Sequence, residues 1–171
     1  MDPSQPLFLT LPDEASTLAL GRALAAVAIA PQTRVALLLR GGLGSGKTTL
    51  VRGLAGALPG GDDAEVASPS FNIVNVYPTR PEIRHVDLYR IPGGDPCVEE
   101  QLESGAADDA LVIVEWAEYL PLLAMPADRL EIDWLPAEAG RRCRLTAAGE
   151  RGRLALAALA QRTRAMPDCG S

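Results

Sequence analysis

Apolar and polar positions change their period several times along the chain. Residues 7–11 (LFLTL) have the length of a short strand and stop at Pro12. Asp13 and Glu14 then open a helical segment with Leu18, Ala25 and Ile29 among its apolar positions, and Pro31 ends it. Residues 34–40 (RVALLLR) form an apolar run, the pattern of a strand buried on both faces of a parallel sheet. A glycine-rich loop follows, then a helix over about 47–58, halted by Pro59-Gly60-Gly61. Residues 71–77 and 83–89 read as strands around the turn Pro78-Thr79-Arg80-Pro81, which predicts a hairpin. Residues 111–114 are another buried strand, closed by Glu115-Trp116, and 130–134 and 143–147 are later ones. Residues 153–164 read as a terminal helix. Strand and helix alternate early and no internal repeat is visible, so the pattern predicts a three-layer α/β fold. A single domain over 1–171, with a helical tail over 148–171, is expected.

Composition narrows the choice. The chain has 171 residues, 47% hydrophobic but only 4% aromatic, so its core must be built from Ala, Leu, Val and Ile. A net charge of -6 argues against a dedicated nucleic-acid or anionic-membrane binder, whose footprint is basic. Charge is also segregated: residues 91–128 hold nine acids and no Lys or Arg, whereas 129–164 hold eight Arg against four acids. These stretches read either as solvated faces or as a surface for a protein partner. Cys97, Cys143 and Cys169 lack metal-ligand spacing and His85 is the only histidine, so neither a zinc site nor a disulfide framework is expected. With no signal sequence or membrane span expected either, the chain reads as cytoplasmic.

The chemistry concentrates in one loop. Gly41-Gly-Leu-Gly-Ser-Gly46-Lys47-Thr48 matches G-x-x-x-x-G-K-[ST], which this composition would produce by chance roughly once in a thousand such chains. A buried strand precedes the loop and a helix starts at its end, as phosphate binding requires. The glycines let backbone N–H groups converge on phosphate oxygens, and the helix N-terminus adds partial positive charge. Lys47 is the only lysine; its compact ammonium would meet the β- and γ-phosphates, and the Thr48 hydroxyl would ligate Mg²⁺. An acid at the end of a neighbouring strand should complete the magnesium shell. Glu115 ends the run LVIVE and is the first candidate; Asp87, in HVDLYR, is the second. The single lysine leaves no Asn-Lys-x-Asp guanine motif, which favours ATP over GTP. The fold expectation sharpens to a P-loop NTPase-like fold with a central mixed sheet and an antiparallel hairpin insertion.

Taken together, LPDEASTLALG (11–21), GLGSGKTTLVRG (42–53), SPSF (68–71), HVDLYR (85–90) and VEW (114–116) resemble the bacterial TsaE (YjeE) family. That family comprises small P-loop ATPases needed to make threonylcarbamoyladenosine in tRNA. The resemblance implies an ATPase that docks on the TsaD–TsaB pair, with ATP and Mg²⁺ as cofactors and no direct contact with nucleic acid or membrane. By position it makes Thr48 and Glu115 the Mg²⁺ ligands and wraps Gly44, Ser45, Gly46, Lys47, Thr48 and Thr49 around the phosphates. It puts Ser70 at a switch-like position near the γ-phosphate, gives Asp87 a part in hydrolysis and brings Glu14 towards the nucleotide. Gly42 stands where the family commonly has an acid, and Ser70 where it has Thr.

Some residues keep two readings. His85 reads as a hydrogen-bonding group within the hairpin or as a catalytic group, Trp116 as core or as packing beside the site, and Arg90 as either a phosphate-neutralising arginine or a partner of the acids at 95–109. Two other functions compete with a partner-dependent ATPase. A small-molecule kinase would need an Arg-rich lid, which 91–128 cannot supply. A nucleotide-gated binding module without essential turnover would use the same residues.

Overall fold

The computed structural model describes residues 5–68, 73–92 and 95–164. Its centre is a seven-stranded mixed sheet with strands β1 (Leu7–Leu11), β2 (Ala36–Arg40), β3 (Val74–Tyr77), β4 (Ile83–Asp87), β5 (Leu111–Glu115), β6 (Arg129–Leu135) and β7 (Arg141–Ala148). Their spatial order is β1-β7-β6-β2-β5-β4-β3. β2 lies parallel to both β5 and β6, and β4 parallel to β5; the β3–β4, β6–β7 and β1–β7 pairs are antiparallel. The expected antiparallel hairpin is β3–β4, and it joins the main sheet through β4. β3 begins at Val74, after Ile73, whose φ of 65° turns the backbone off the ladder.

Four helices cover the sheet: α1 (Glu14–Ala28), α2 (Lys47–Ala55), α3 (Pro96–Ala107) and α4 (Gly149–Thr163). On one face α1, α2 and α4 bury Leu20, Leu24, Leu50, Leu54 and Leu159 against Leu37, Leu39, Ile132 and Leu145. On the other, α3 places Val98 and Leu102 against Leu38, Val86, Val112 and Val114. This is the expected three-layer arrangement.

The local chemistry explains most boundaries. Asp13 caps α1: its Oδ1 accepts from Ser16 N at 2.8 Å while the Ser16 hydroxyl accepts from Asp13 N at 3.2 Å. α2 ends three residues before its expected limit, because past Gly56 the chain tightens into turns in which Ala57 and Leu58 N–H bond to Leu54 and Ala55 carbonyls. α4 starts at Gly149, four residues earlier than expected, and Arg151 N–H donates to Asp128 Oδ1. Helix α3 was not anticipated, although its signals stand in the sequence: Asp95 caps Cys97 N at 2.8 Å and Pro96 occupies the first turn.

Two glycines decide how α2 is seated. A Cβ on Gly21 would lie 2.4 Å from the Leu50 carbonyl oxygen, and one on Gly53 would lie 2.4 Å from the Leu18 carbonyl oxygen. Helices α1 and α2 thus meet backbone against backbone, at a distance that no larger residue permits. Gly53→Ala is expected to destabilise the protein by about 1–3 kcal/mol through overpacking. A urea titration checks this: the midpoint should fall with little change in slope.

Candidate nucleotide site

Strands β2, β5 and β4 run parallel, so their carboxyl ends form one edge of the sheet. The glycine loop leaves β2 there, Glu115 ends β5, and Asp87 ends β4 in register with it. Gly46 precedes α2 with φ 112°, a backbone conformation that glycine adopts without strain. Leu50 N–H closes the first helical bond to Gly46 O at 2.9 Å, so the N–H groups before it point out of the helix end. A cavity of about 400 Å³ opens on that end, lined by residues 43–49 with Ser68, Asp87, Tyr89, Arg90, Glu115, Trp116 and Arg141. A second hollow of about 480 Å³ adjoins it, between Gly42, Gly44 and Ser45 and the β6–β7 connection at Trp134, Leu135, Pro136 and Gly140.

Lys47 is buried against this cavity. Its ammonium donates to the carbonyls of Gly41 (2.6 Å) and Gly42 (2.9 Å), and lies 4.0 Å from the centre of the Trp116 ring. Burial draws its pKa below the usual lysine value, against the opposing pull of the Glu115, Glu118 and Asp87 carboxylates. Thr48 Oγ1 donates to Glu115 Oε1 at 2.9 Å. A threonine oxygen beside one carboxylate suits Mg²⁺, a hard cation commonly bound through few protein oxygens plus substrate phosphates. Among the described residues no group of three or more His, Cys, Asp or Glu gathers as an all-protein metal site.

The remaining acid is held from two sides. Asp87 Oδ1 accepts from Tyr89 N at 2.8 Å, and Oδ2 accepts from the Ser68 hydroxyl at 2.5 Å. Trp116, which the sequence allowed either in the core or beside the site, lines the cavity. It sits in the left-handed region at φ 58°, between Tyr89 (ring centres 4.9 Å apart) and the stacked Tyr119 (6.1 Å). Such a backbone costs of order 1 kcal/mol in a residue other than glycine, and aromatic packing on both sides offsets it.

Other expectations fare differently. Glu14 is exposed at the start of α1, 3.6 Å from Arg52, and does not line the cavity. Where α1 meets the loop, the neighbour is the Thr17 methyl, 3.6 Å from where a Cβ on Gly46 would sit. Ser70 lies outside the described residues, and Ser68 is the hydroxyl seen at Asp87. Arg90 lines the cavity, while Arg84 forms the ion pair with Asp108 at 2.6 Å. Within residues 129–164, Arg129 pairs with Glu131 at 2.7 Å and Arg144 with Asp133 at 2.9 Å. Tyr89 lies within HVDLYR but takes no role from sequence, and Arg141 carries no motif signal. Arg141 reaches the loop by strand pairing from far along the chain, with Nε 3.0 Å from a Cβ placed on Gly46.

A glycine loop between a buried strand and a helix, an invaginated lysine, and a threonine bonded to a carboxylate across parallel strands define a P-loop nucleotide-binding protein. The family described as "Threonylcarbamoyl adenosine biosynthesis protein TsaE" matches residues 11–143. The chain belongs to the TsaE family. It is 37% identical over 116 residues to the Haemophilus influenzae tRNA threonylcarbamoyladenosine biosynthesis protein TsaE, covering 63% of this chain and 69% of that one. It is 41% identical over 85 residues to the Streptomyces coelicolor protein of the same name, covering 48% of this chain. The matched region spans 56% of the length of the Streptomyces coelicolor and Aquifex aeolicus relatives. In three dimensions it resembles the crystal structure of Bacillus YdiB, with a TM-score of 0.70 at 25% identity over 92% of this chain and 95% of that one.

Because Lys47 is the only lysine and is 4% exposed, its amine is shielded from bulky reagents. Acetylation with a water-soluble succinimidyl ester is expected to spare Lys47 in the folded protein and to modify it fully in guanidinium. Mass spectrometry of the Lys47 peptide checks this; rapid labelling in the folded protein would contradict the burial described above.

Proposed function

We propose that this protein is a Mg²⁺-dependent ATPase of threonylcarbamoyladenosine synthesis that docks on the TsaD–TsaB pair and supports its turnover. The observation that carries the ATPase part is the Thr48–Glu115 hydrogen bond, 2.9 Å, beside the buried Lys47. In this reading the N–H groups of Gly44 to Thr49 cradle the phosphates and the Lys47 ammonium neutralises their charge. Thr48 and Glu115 hold Mg²⁺, which spreads the charge that develops on the transferring phosphoryl group. Asp87, oriented by Ser68 and Tyr89, faces the same cavity and would position the attacking water. Arg90 and Arg141 add positive charge to its wall, and the hollow beside Trp134 offers room for the base. Ser70, as the second serine of the same segment, belongs to this reading as a residue near the γ-phosphate. Family membership supports the pathway and, through it, the partner.

Lys47→Ala is expected to abolish ADP and ATP binding in calorimetry; unchanged affinity would overturn the phosphate-loop assignment. Glu115→Ala is expected to keep measurable nucleotide binding and to lose ~100-fold or more in Mg²⁺-dependent hydrolysis, as a lost metal ligand costs several kcal/mol of charge stabilisation. Hydrolysis at the wild-type rate would move the acid's role to Asp87. For the partner, co-purification with TsaD–TsaB is compared in ATP and in ADP, and absence of a complex in both would remove the docking part alone.

A further inference from the structure

His85 is fully buried, and its ring faces the site rather than only its own hairpin. Nε2 lies 2.9 Å from Glu115 Oε1, the same oxygen that accepts from Thr48. A carboxylate oxygen only accepts, so the imidazole Nε2–H is the donor. On the other side Nδ1 lies 3.1 Å from the Tyr77 hydroxyl, which is also 3.0 Å from the Ala67 carbonyl oxygen. With the ring neutral, the one hydroxyl hydrogen stands before two acceptors, a ring nitrogen and a backbone oxygen. Ala67 is followed directly by Ser68, whose hydroxyl holds Asp87. A line of hydrogen bonds thus runs from the magnesium carboxylate, buried through His85 and Tyr77, to the exposed segment at Ala67 and Ser68 that holds the second acid.

We propose that His85 is the positioning residue that sets the Glu115 carboxylate for Mg²⁺, and that Tyr77 carries the condition of that carboxylate to Ala67 and Ser68. This rests on the magnesium role given to Glu115 above. The physical basis is polarisation along a hydrogen-bond chain in a water-poor interior. When Glu115 bears its full charge, it draws strongly on Nε2–H, the ring becomes a better acceptor at Nδ1, and the Tyr77 hydrogen is shared with it. When a cation takes up part of that charge, Nδ1 weakens as an acceptor and the hydroxyl commits to the Ala67 carbonyl. The backbone at 67–68 is then held more firmly, and with it the hydroxyl on Asp87. The metal ligand and the second acid become one coupled unit, though they stand on different strands.

Calorimetry of ADP with and without Mg²⁺ tests the first part without relying on hydrolysis. In His85→Leu the Mg²⁺-dependent gain in ADP affinity is expected to fall about tenfold, as lost outer-sphere support of a ligand commonly does, with affinity in EDTA within about twofold of wild type. His85→Gln, whose amide N–H extends about as far as Nε2–H, should restore most of the gain. Tyr77→Phe keeps the ring and the fold while removing the hydroxyl, and tests the second part by hydrogen exchange. In the wild type with ADP, Mg²⁺ should slow exchange over residues 66–68; in Tyr77→Phe that response should vanish, while the Mg²⁺ gain in affinity stays within about threefold. A wild-type Mg²⁺ gain in His85→Leu, or no rescue by His85→Gln, overturns the positioning role. A wild-type exchange response in Tyr77→Phe overturns the coupling, and so does a response absent from the wild type. If Mg²⁺ adds no affinity even in the wild type, the metal role of Glu115 itself is wrong.

Discussion

Three parallel strands that end level with one another are the constraint on which the site depends. β2, β5 and β4 deliver a phosphate loop and two carboxylates to one edge because parallel pairing puts Leu39 and Asp87 on either side of Glu115. A slip of one residue in that register would turn Glu115 to the opposite face of the sheet and leave Thr48 without its acceptor. The nearly uninterrupted apolar character of 36–39 and 111–114 suits strands covered by helices on both faces, and the polar ends at Arg40 and Glu115 are what a slip would misplace. Chemistry at the edge is thus held by burial in the middle.

The polar groups at that edge are few and heavily shared. Glu115 Oε1 takes hydrogen bonds from a threonine on α2 and a histidine on β4, and Asp87 takes one from its own turn and one from Ser68. Each buried carboxylate is therefore answered from at least two elements, as low-dielectric surroundings demand. Trp116 belongs to the same economy. Its unusual backbone turns the ring across the lysine, so that an aromatic face lies beside an ammonium withdrawn from water.

The sequence carried the local signals well and the long-range ones poorly. Apolar runs located every strand, and the spacing of Gly41, Gly46, Lys47 and Thr48 located the loop, because these depend on neighbours in the chain. Asp95-Pro96 with Val98 and Leu102 marks α3, but the acids and small residues between them blur its apolar period. Glu115 and Asp87 were legible as strand-end acids beside a phosphate loop. The dual role of His85 and the presence of Arg141 at the loop were not, since both arise from pairing across strands that no local period encodes. Trp116 stayed open between core and site because an aromatic after a buried strand ordinarily fills core, and the left-handed turn at that residue brings it to the cavity. The hairpin was legible because its turn chemistry is visible in the chain, whereas its parallel junction with β5 is not.

The backbone contact between α1 and α2 has a consequence for how the protein's tolerance to change should be read. Gly21 and Gly53 touch no phosphate, metal or acid, yet each faces a carbonyl oxygen with no intervening side chain. There is no rotamer to adjust there and no alternative packing to fall back on. In a saturation map these two positions would look sensitive, more so the larger the substituted side chain, for a reason with no chemistry in it. The protein thus contains two kinds of indispensable residue, those that act on a ligand and those that leave room, and substitution data alone would not tell them apart.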